Sequence, residues 1–138
     1  MGITNEEREG RKQLCDFVLR SYHHNMIIST SGAFSMRLGT DFMLITPSGI
    51  DRATISPSDL VLVRMSDSAF DASSHLPASR AVHNHAAIYQ RHPHVNAIMN
   101  GLSPTLPLST ATWSDFLFSF FHSLNCSFFF WVFVVPPR

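Results

Sequence analysis

Residues 27–49 read IISTSGAFSMRLGTDFMLITPSG. Two largely apolar runs, Phe34-Ser35-Met36-Arg37 and Phe42-Met43-Leu44-Ile45, are joined through Gly39-Thr40-Asp41. In the first run Phe34 and Met36 point one way and Ser35 and Arg37 the other, the period of two that a strand imposes. Gly39 and Asp41 suit a tight reversal, so the stretch predicts a β-hairpin. Each working end carries a small polar turn, Thr30-Ser31-Gly32-Ala33 before the first run and Thr46-Pro47-Ser48-Gly49 after the second. Gly32 and Gly49 admit backbone angles closed to other residues. Successive N–H groups in such turns, with Ser and Thr hydroxyls beside them, make an anion-sized concavity. Two of these turns brought side by side would hold a phosphate.

Working outward, Thr4 or Asn5 can cap a helix whose first turn holds Glu6 and Glu7, favoured by the helix dipole. Leu14, Phe17, Val18 and Tyr22 fall at helical spacing and predict its buried stripe. The predicted elements are a helix over 5–24, strands near 27–31, 34–38, 42–46 and 60–65, a helix over 79–91 and a strand over 95–100. On the second helix Val82, His85, Ala86 and Tyr89 share a face, and Pro93 stops it. Residues 66–79, SDSAFDASSHLPAS, read as a Ser- and Asp-rich loop.

The chain has 138 residues, enough for one domain with a core. Ten Lys and Arg against ten Asp and Glu leave a formal charge of +0, so no general attraction to nucleic acid or anionic lipid is expected. Two cysteines, Cys15 and Cys126, set no disulfide framework, which points to a reduced, cytoplasmic setting. Acidic residues close behind the first methionine argue against a secretory signal.

Three motifs in order carry a resemblance. They are Ser31-Gly32-Ala33-Phe34-Ser35-Met36-Arg37, then Leu44-Ile45-Thr46-Pro47-Ser48-Gly49, then Asp59-Leu60-Val61. The chain resembles the class II aldolase/adducin family, L-fuculose-phosphate aldolase among them, over about residues 14–104. The resemblance implies an α/β, three-layer fold with a central, mainly antiparallel sheet flanked by helices. It also implies a divalent metal, usually zinc, held by three His, and a Glu that carries a proton beside a Ser-Ser pair. The metal polarises the carbonyl and hydroxyl of a bound sugar phosphate such as fuculose 1-phosphate for retro-aldol cleavage. Members assemble as cyclic homo-oligomers.

Carried over position by position, the phosphate side is partly kept. Ser31, Gly32, Ser48 and Gly49 match, Ala33 replaces an Asn, Ser79 matches the first Ser of the pair and Arg80 replaces the second. The metal side is not kept. Counting from His85, Tyr89 and Pro93, the two family His positions fall on Asn100 and Leu102, of which the second cannot ligate and the first is a poor donor for zinc. The Glu position falls on Ala81, so no catalytic residue is assigned. The remaining weak metal candidates are two His pairs. His83 and His85 lie two apart on a predicted helix and point to different sides. His92 and His94 flank Pro93 at a turn. His85 is expected to be a core residue bonded to backbone, and Cys15 a small core residue.

After Pro104 the composition changes. Residues 116–135, FLFSFFHSLNCSFFFWVFVV, hold eight of the 12 Phe and no charged side chain. The run is long enough to cross a bilayer as a helix, but His122, Asn125 and Cys126 oppose that. Residues 105–138 are therefore divided from a family-like domain over 1–104. A replaced ending, a tail anchor and a true globular ending stay open. Two function classes also stay open: a metal-dependent aldehyde-lyase impaired by its missing ligands and proton carrier, and a non-catalytic scaffold like the adducin head. The ligand expected in either case is a phosphate anion or small sugar phosphate, with no nucleic acid and no membrane unless residues 116–135 anchor the chain.

Overall fold

A computed structural model describes residues 4–69 and 74–101. The N-terminal helix α1 runs Asn5–His23, with Thr4 as its cap: the Thr4 hydroxyl accepts from the Glu7 N–H at 3.1 Å. Then come β1 (Ala33–Leu38), β2 (Phe42–Ile45), β3 (Val61–Arg64), α2 (Val82–Arg91) and β4 (Ala97–Asn100). A short 3-10 turn, Pro57–Asp59, precedes β3. The four strands form one sheet in the order β3-β2-β1-β4, and every pairing is antiparallel. The predicted hairpin is present: Met36 faces Leu44 and Leu38 faces Phe42 across residues 39–41. The phenylalanine-rich run over 116–135, and the whole division at 105–138, lie outside the described residues. Among the described residues no helix is long and apolar enough to cross a membrane.

The sheet is covered on both faces. Phe34, Leu44 and Met99 turn toward α1 and pack with Leu14, Cys15, Val18, Ile27, Ile55 and Leu60. Met43, Ile45, Val61, Val63 and Ile98 turn the other way, onto Val82, Ala86 and Tyr89 of α2. The alternation read in β1 therefore holds, and its consequence is an α/β/α stack of three layers. Gly10 lets α1 approach closely, because a Cβ there would stand 3.2 Å from Leu44 Cδ1 and 3.3 Å from Leu38 Cδ1.

Three expectations change. Residues 27–31 are not a strand. Ile27 is buried against α1, but Ile28 is exposed and Ser29 takes a φ of 49°. The Ser31 N–H then donates to the Ile28 carbonyl at 2.9 Å, so the segment is a turn. Phe17, expected in the buried stripe of α1, lies at its margin, 38% exposed, with its ring edge-to-face on Phe34 at 6.0 Å. Cys15 takes the core place instead, its thiol donating to the Ile55 carbonyl at 3.3 Å, and burial pushes its pKa up. The second helix begins at Val82 rather than at 79, because Ser79 forms a preceding turn whose carbonyl accepts from the Val82 N–H at 3.1 Å.

Candidate functional site

The two polar turns and the segment before α2 meet at one end of the sheet. The Ser48 N–H donates to the Pro77 carbonyl at 2.9 Å and the Ser79 N–H to the Thr46 carbonyl at 3.1 Å, so the second turn is stitched to residues 77–79. Thr46 ties the second turn to the first: its N–H donates to the Phe34 carbonyl at 2.9 Å, and its hydroxyl accepts from the Phe34 N–H at 3.1 Å. Ser31, Gly32, Ser48, Gly49 and Ser79 are thus carried on segments joined by hydrogen bonds. Gly32 and Gly49 both take positive φ, 81° and 77°.

These bonds consume part of the donor set read from the turns. The N–H groups of Ser31, Ser48 and Ser79 all donate to backbone carbonyls. The Ser31 hydroxyl accepts from the Ile28 N–H at 3.1 Å, and the Ser79 hydroxyl from the Ala81 N–H at 3.3 Å. The N–H groups of Gly32 and Gly49 and the Ser48 hydroxyl have no partner among the described residues. Arg80 is exposed at the turn before α2.

Arg52 joins the turns and was not singled out in the sequence. Its side chain is only 2% exposed. One terminal nitrogen donates to the Gly32 carbonyl at 2.8 Å, the other to the Pro47 and Ile50 carbonyls at 3.2 Å each. Its Nε is buried without a hydrogen-bond partner among the described residues. Burial lowers the guanidinium pKa, and the neighbouring Asp51 charge opposes that. No sequence signal marks Arg52, since Asp51-Arg52-Ala53-Thr54 has the composition of a solvated loop.

A second polar group lies between the sheet and α2. Ser35 Oγ is 2.7 Å from His85 Nδ1 and 2.9 Å from the Tyr89 hydroxyl, with all three residues buried. Arg37 lies over the Tyr89 ring, 4.9 Å from its centroid, and donates to the Tyr89 and Val95 carbonyls at 2.6 Å and 2.9 Å. Burial drives the His85 pKa down to about 4 and the Tyr89 pKa up, so both are neutral near pH 7. The Asn100 side chain partly offsets the first shift, yet His85 Nε2 has no hydrogen-bond partner among the described residues. His85 is a core residue as expected, but a side-chain hydroxyl holds it rather than backbone. A sequence signal existed for two of the three: His85 and Tyr89 are polar residues on the apolar face of the predicted helix with Val82 and Ala86, whereas nothing marked Ser35.

Among the described residues, those at the expected metal positions are not zinc ligands. Asn100 Oδ1 accepts from the Ala33 N–H at 2.9 Å, where β1 and β4 pair, so this oxygen fastens the start of the first strand. Leu102 lies outside the described residues. Ala81 stands at the turn before α2 and carries no titratable group. His83 is exposed, with Nδ1 3.1 Å from Ser68 Oγ, whereas His85 is buried on the opposite side of the helix, so these two do not converge. The His92 and His94 rings approach edge-to-face at 5.8 Å. Among the described residues no three His, Cys, Asp or Glu side chains cluster as a metal site. A cleft of about 230 Å³ lined by Tyr22, His23, Asn25, Ile27, Ile28 and Ser29 adjoins the first turn. It falls below the ~300 Å³ at which small-molecule sites usually start.

A family model described as "Class II Aldolase and Adducin N-terminal domain" matches residues 12–125, beyond the last of the quoted motifs. Two curated relatives are methylthioribulose-1-phosphate dehydratases. That of Methylococcus capsulatus is 34% identical over 80 residues, 58% of this chain and 38% of its own length. That of Alcanivorax borkumensis is 27% identical over 110 residues, 80% of this chain and 51% of its own. The chain therefore spans about half or less of the length of these relatives. Among solved structures, an L-fuculose 1-phosphate aldolase superposes with a TM-score of 0.63 at 23% identity, covering 70% of this chain and 45% of that one. YgbL of Escherichia coli superposes with a TM-score of 0.65 at 24% identity, with the same coverage. At these identities the likeness is one of fold.

Proposed function

The chain belongs to the class II aldolase and adducin N-terminal domain family, and from that premise we propose that it binds the phosphate of a small sugar phosphate without carrying out metal-dependent carbonyl chemistry. One observation carries this reading. At the position where the resemblance implies the first metal His stands Asn100, and its only side-chain oxygen is engaged by the Ala33 N–H. A backbone N–H already occupies one of the two lone pairs of this oxygen, and a neutral amide is a weak match for zinc where imidazole is the expected ligand. Ala81 removes the proton carrier from the same neighbourhood. The joined turns at Gly32 and Gly49 support phosphate binding, and so do the names of the relatives, each of which contains a sugar 1-phosphate. Family resemblance supports assembly as a closed homo-oligomer for such a binding or scaffold domain, and the free buried thiol of Cys15 suits a cytoplasmic setting.

The competing reading is an active lyase, favoured by the relatives' names alone. Metal analysis of purified protein separates the two, together with assays for cleavage of L-fuculose 1-phosphate and dehydration of methylthioribulose 1-phosphate. No stoichiometric zinc, no turnover, and phosphate binding abolished by Gly49→Val are the expected results. Asn100→Ala should also lower stability by about 1 kcal/mol, because it strands the Ala33 N–H. Tight one-to-one zinc with turnover of either substrate would overturn the proposal.

A further inference from the structure

We propose that Arg52 is the buried charge that makes the joined turns a site for dianionic phosphate monoesters, selecting them over monoanionic phosphate diesters. The inference rests on the phosphate-binding reading above and adds to it a specificity-determining residue.

Geometry places the guanidinium at the meeting point of both turns. It binds the Gly32 carbonyl on one side and the Pro47 and Ile50 carbonyls on the other. These contacts tie together the two turns that carry Gly32 and Gly49, whose N–H groups lack partners among the described residues. Arg52 therefore acts first by position. It clamps carbonyls of both turns; the N–H groups of Ala33 and Ser48, on two of the same peptides, are taken by Asn100 Oδ1 and the Pro77 carbonyl, and the N–H groups of Gly32 and Gly49 are left as unpartnered donors among the described residues.

Position alone does not explain a charge. Neutral amide donors can bridge carbonyls without the desolvation penalty of a buried ion. Here the ion is buried and its acceptors are all neutral carbonyls. Among the described residues no carboxylate lies within ion-pair distance of it, the pairs being Arg11 with Glu7 and Arg64 with Asp67. Asp51, its sequence neighbour, is exposed and its side chain accepts from the Ala53 N–H at 3.0 Å. A guanidinium has five N–H donors, and Nε is one left without an acceptor. An uncompensated charge at low dielectric projects a field that an anion at the turns would neutralise. The glycine N–H groups and the Ser48 hydroxyl supply direct contacts, while Arg52 supplies charge from behind. A second negative charge on the ligand gains from that field, so a monoester dianion is held more tightly than a diester monoanion of similar shape.

The test compares sn-glycerol 3-phosphate with dimethyl phosphate by calorimetric titration at pH 7.5 on the full chain, as wild type, Arg52→Lys and Arg52→Met. Circular dichroism verifies folding of each. Wild type should prefer the monoester by tenfold or more. Arg52→Lys should keep that preference while weakening both ligands several-fold, since it retains the charge and loses the fork. Arg52→Met should bring the two affinities within about twofold of each other. A purely structural role would weaken both ligands equally and leave the ratio unchanged in Arg52→Met, which would overturn the inference. If Arg52→Met does not fold, the lysine variant decides: loss of the monoester preference with the charge retained overturns the proposal. Wild type that binds the monoester without preference overturns this inference alone. Wild type that binds neither ligand overturns the phosphate-binding reading itself.

Discussion

Acid should destabilise this chain through His85, and the size of the effect follows from the ring's surroundings. The side chain is 1% exposed between β1 and α2, with Nδ1 against Ser35 Oγ and Nε2 without a hydrogen-bond partner among the described residues. Protonation would add a charge and a second N–H donor to a buried ring, a cost that the Asn100 side chain offsets only in part. Burial accordingly lowers the pKa from 6.5 to about 4. Its hydrogen-bonded neighbours do not titrate in that range: burial raises the pKa of Tyr89, and Ser35 does not ionise. Above pH 6.5 His85 is neutral in both folded and unfolded chains and adds no pH dependence. Between 6.5 and 4 the unfolded chain takes up a proton that the folded chain refuses, so stability falls as pH falls. Below about 4 both states are protonated and the loss levels off. A gap of about 2.5 pH units at ~1.4 kcal/mol each gives a loss of roughly 3 kcal/mol by pH 4. Domains of this size have only ~5–15 kcal/mol in total, so the effect is large. Urea unfolding followed by circular dichroism at pH 7.5 and pH 4.0 would measure it, with His85→Gln as the non-titrating control. Carboxylates titrate alike in both proteins, and wild type should lose about 3 kcal/mol more than the variant. Parallel losses would refute the claim that His85 is held neutral by burial.

The two turn glycines should respond differently to alanine. Gly32→Ala combines a left-handed backbone with a Cβ 3.1 Å from the Asn100 carbonyl and 3.2 Å from Ile27, so its cost should exceed the ~1–2 kcal/mol of conformational strain alone. Gly49→Ala meets no atom within 4 Å and should cost only that strain, and thermal unfolding of the two variants would rank them. Ser35→Ala removes the hydroxyl shared by His85 and Tyr89 and should cost about 1–3 kcal/mol in urea, whereas Ser35→Thr, keeping the hydroxyl, should recover part of it.

Much of the framework was legible in local sequence because its causes are local. The period of two in Phe34-Ser35-Met36-Arg37, the reversal at Gly39 and the breaker at Pro93 act within a few residues, and the corresponding elements stand where they were expected. The apolar face of α2, Val82, His85, Ala86 and Tyr89, is likewise buried as its spacing predicts. Residues 27–31 misled for a complementary reason: two isoleucines favour a strand, but Ile27 gains more by packing under α1 than by continuing an extended run. The assignment of the family's first metal His position to Asn100 and of its Glu position to Ala81 rests on counting from neighbouring motifs and belongs to the proposal. Only the tertiary structure decided what the polar residues do. Alternation put Ser35 and Arg37 on one face of β1, but could not say that α2 covers this face and draws a buried Ser35 and a half-buried Arg37 into one network. Nor could it say that Asn100 closes the start of β1, or that Arg52 sits beneath both turns. Burial and hydrogen-bond partnership at those positions are set by groups as many as 67 residues away along the chain, and a distance in space between such groups leaves no trace in the residues on either side of them.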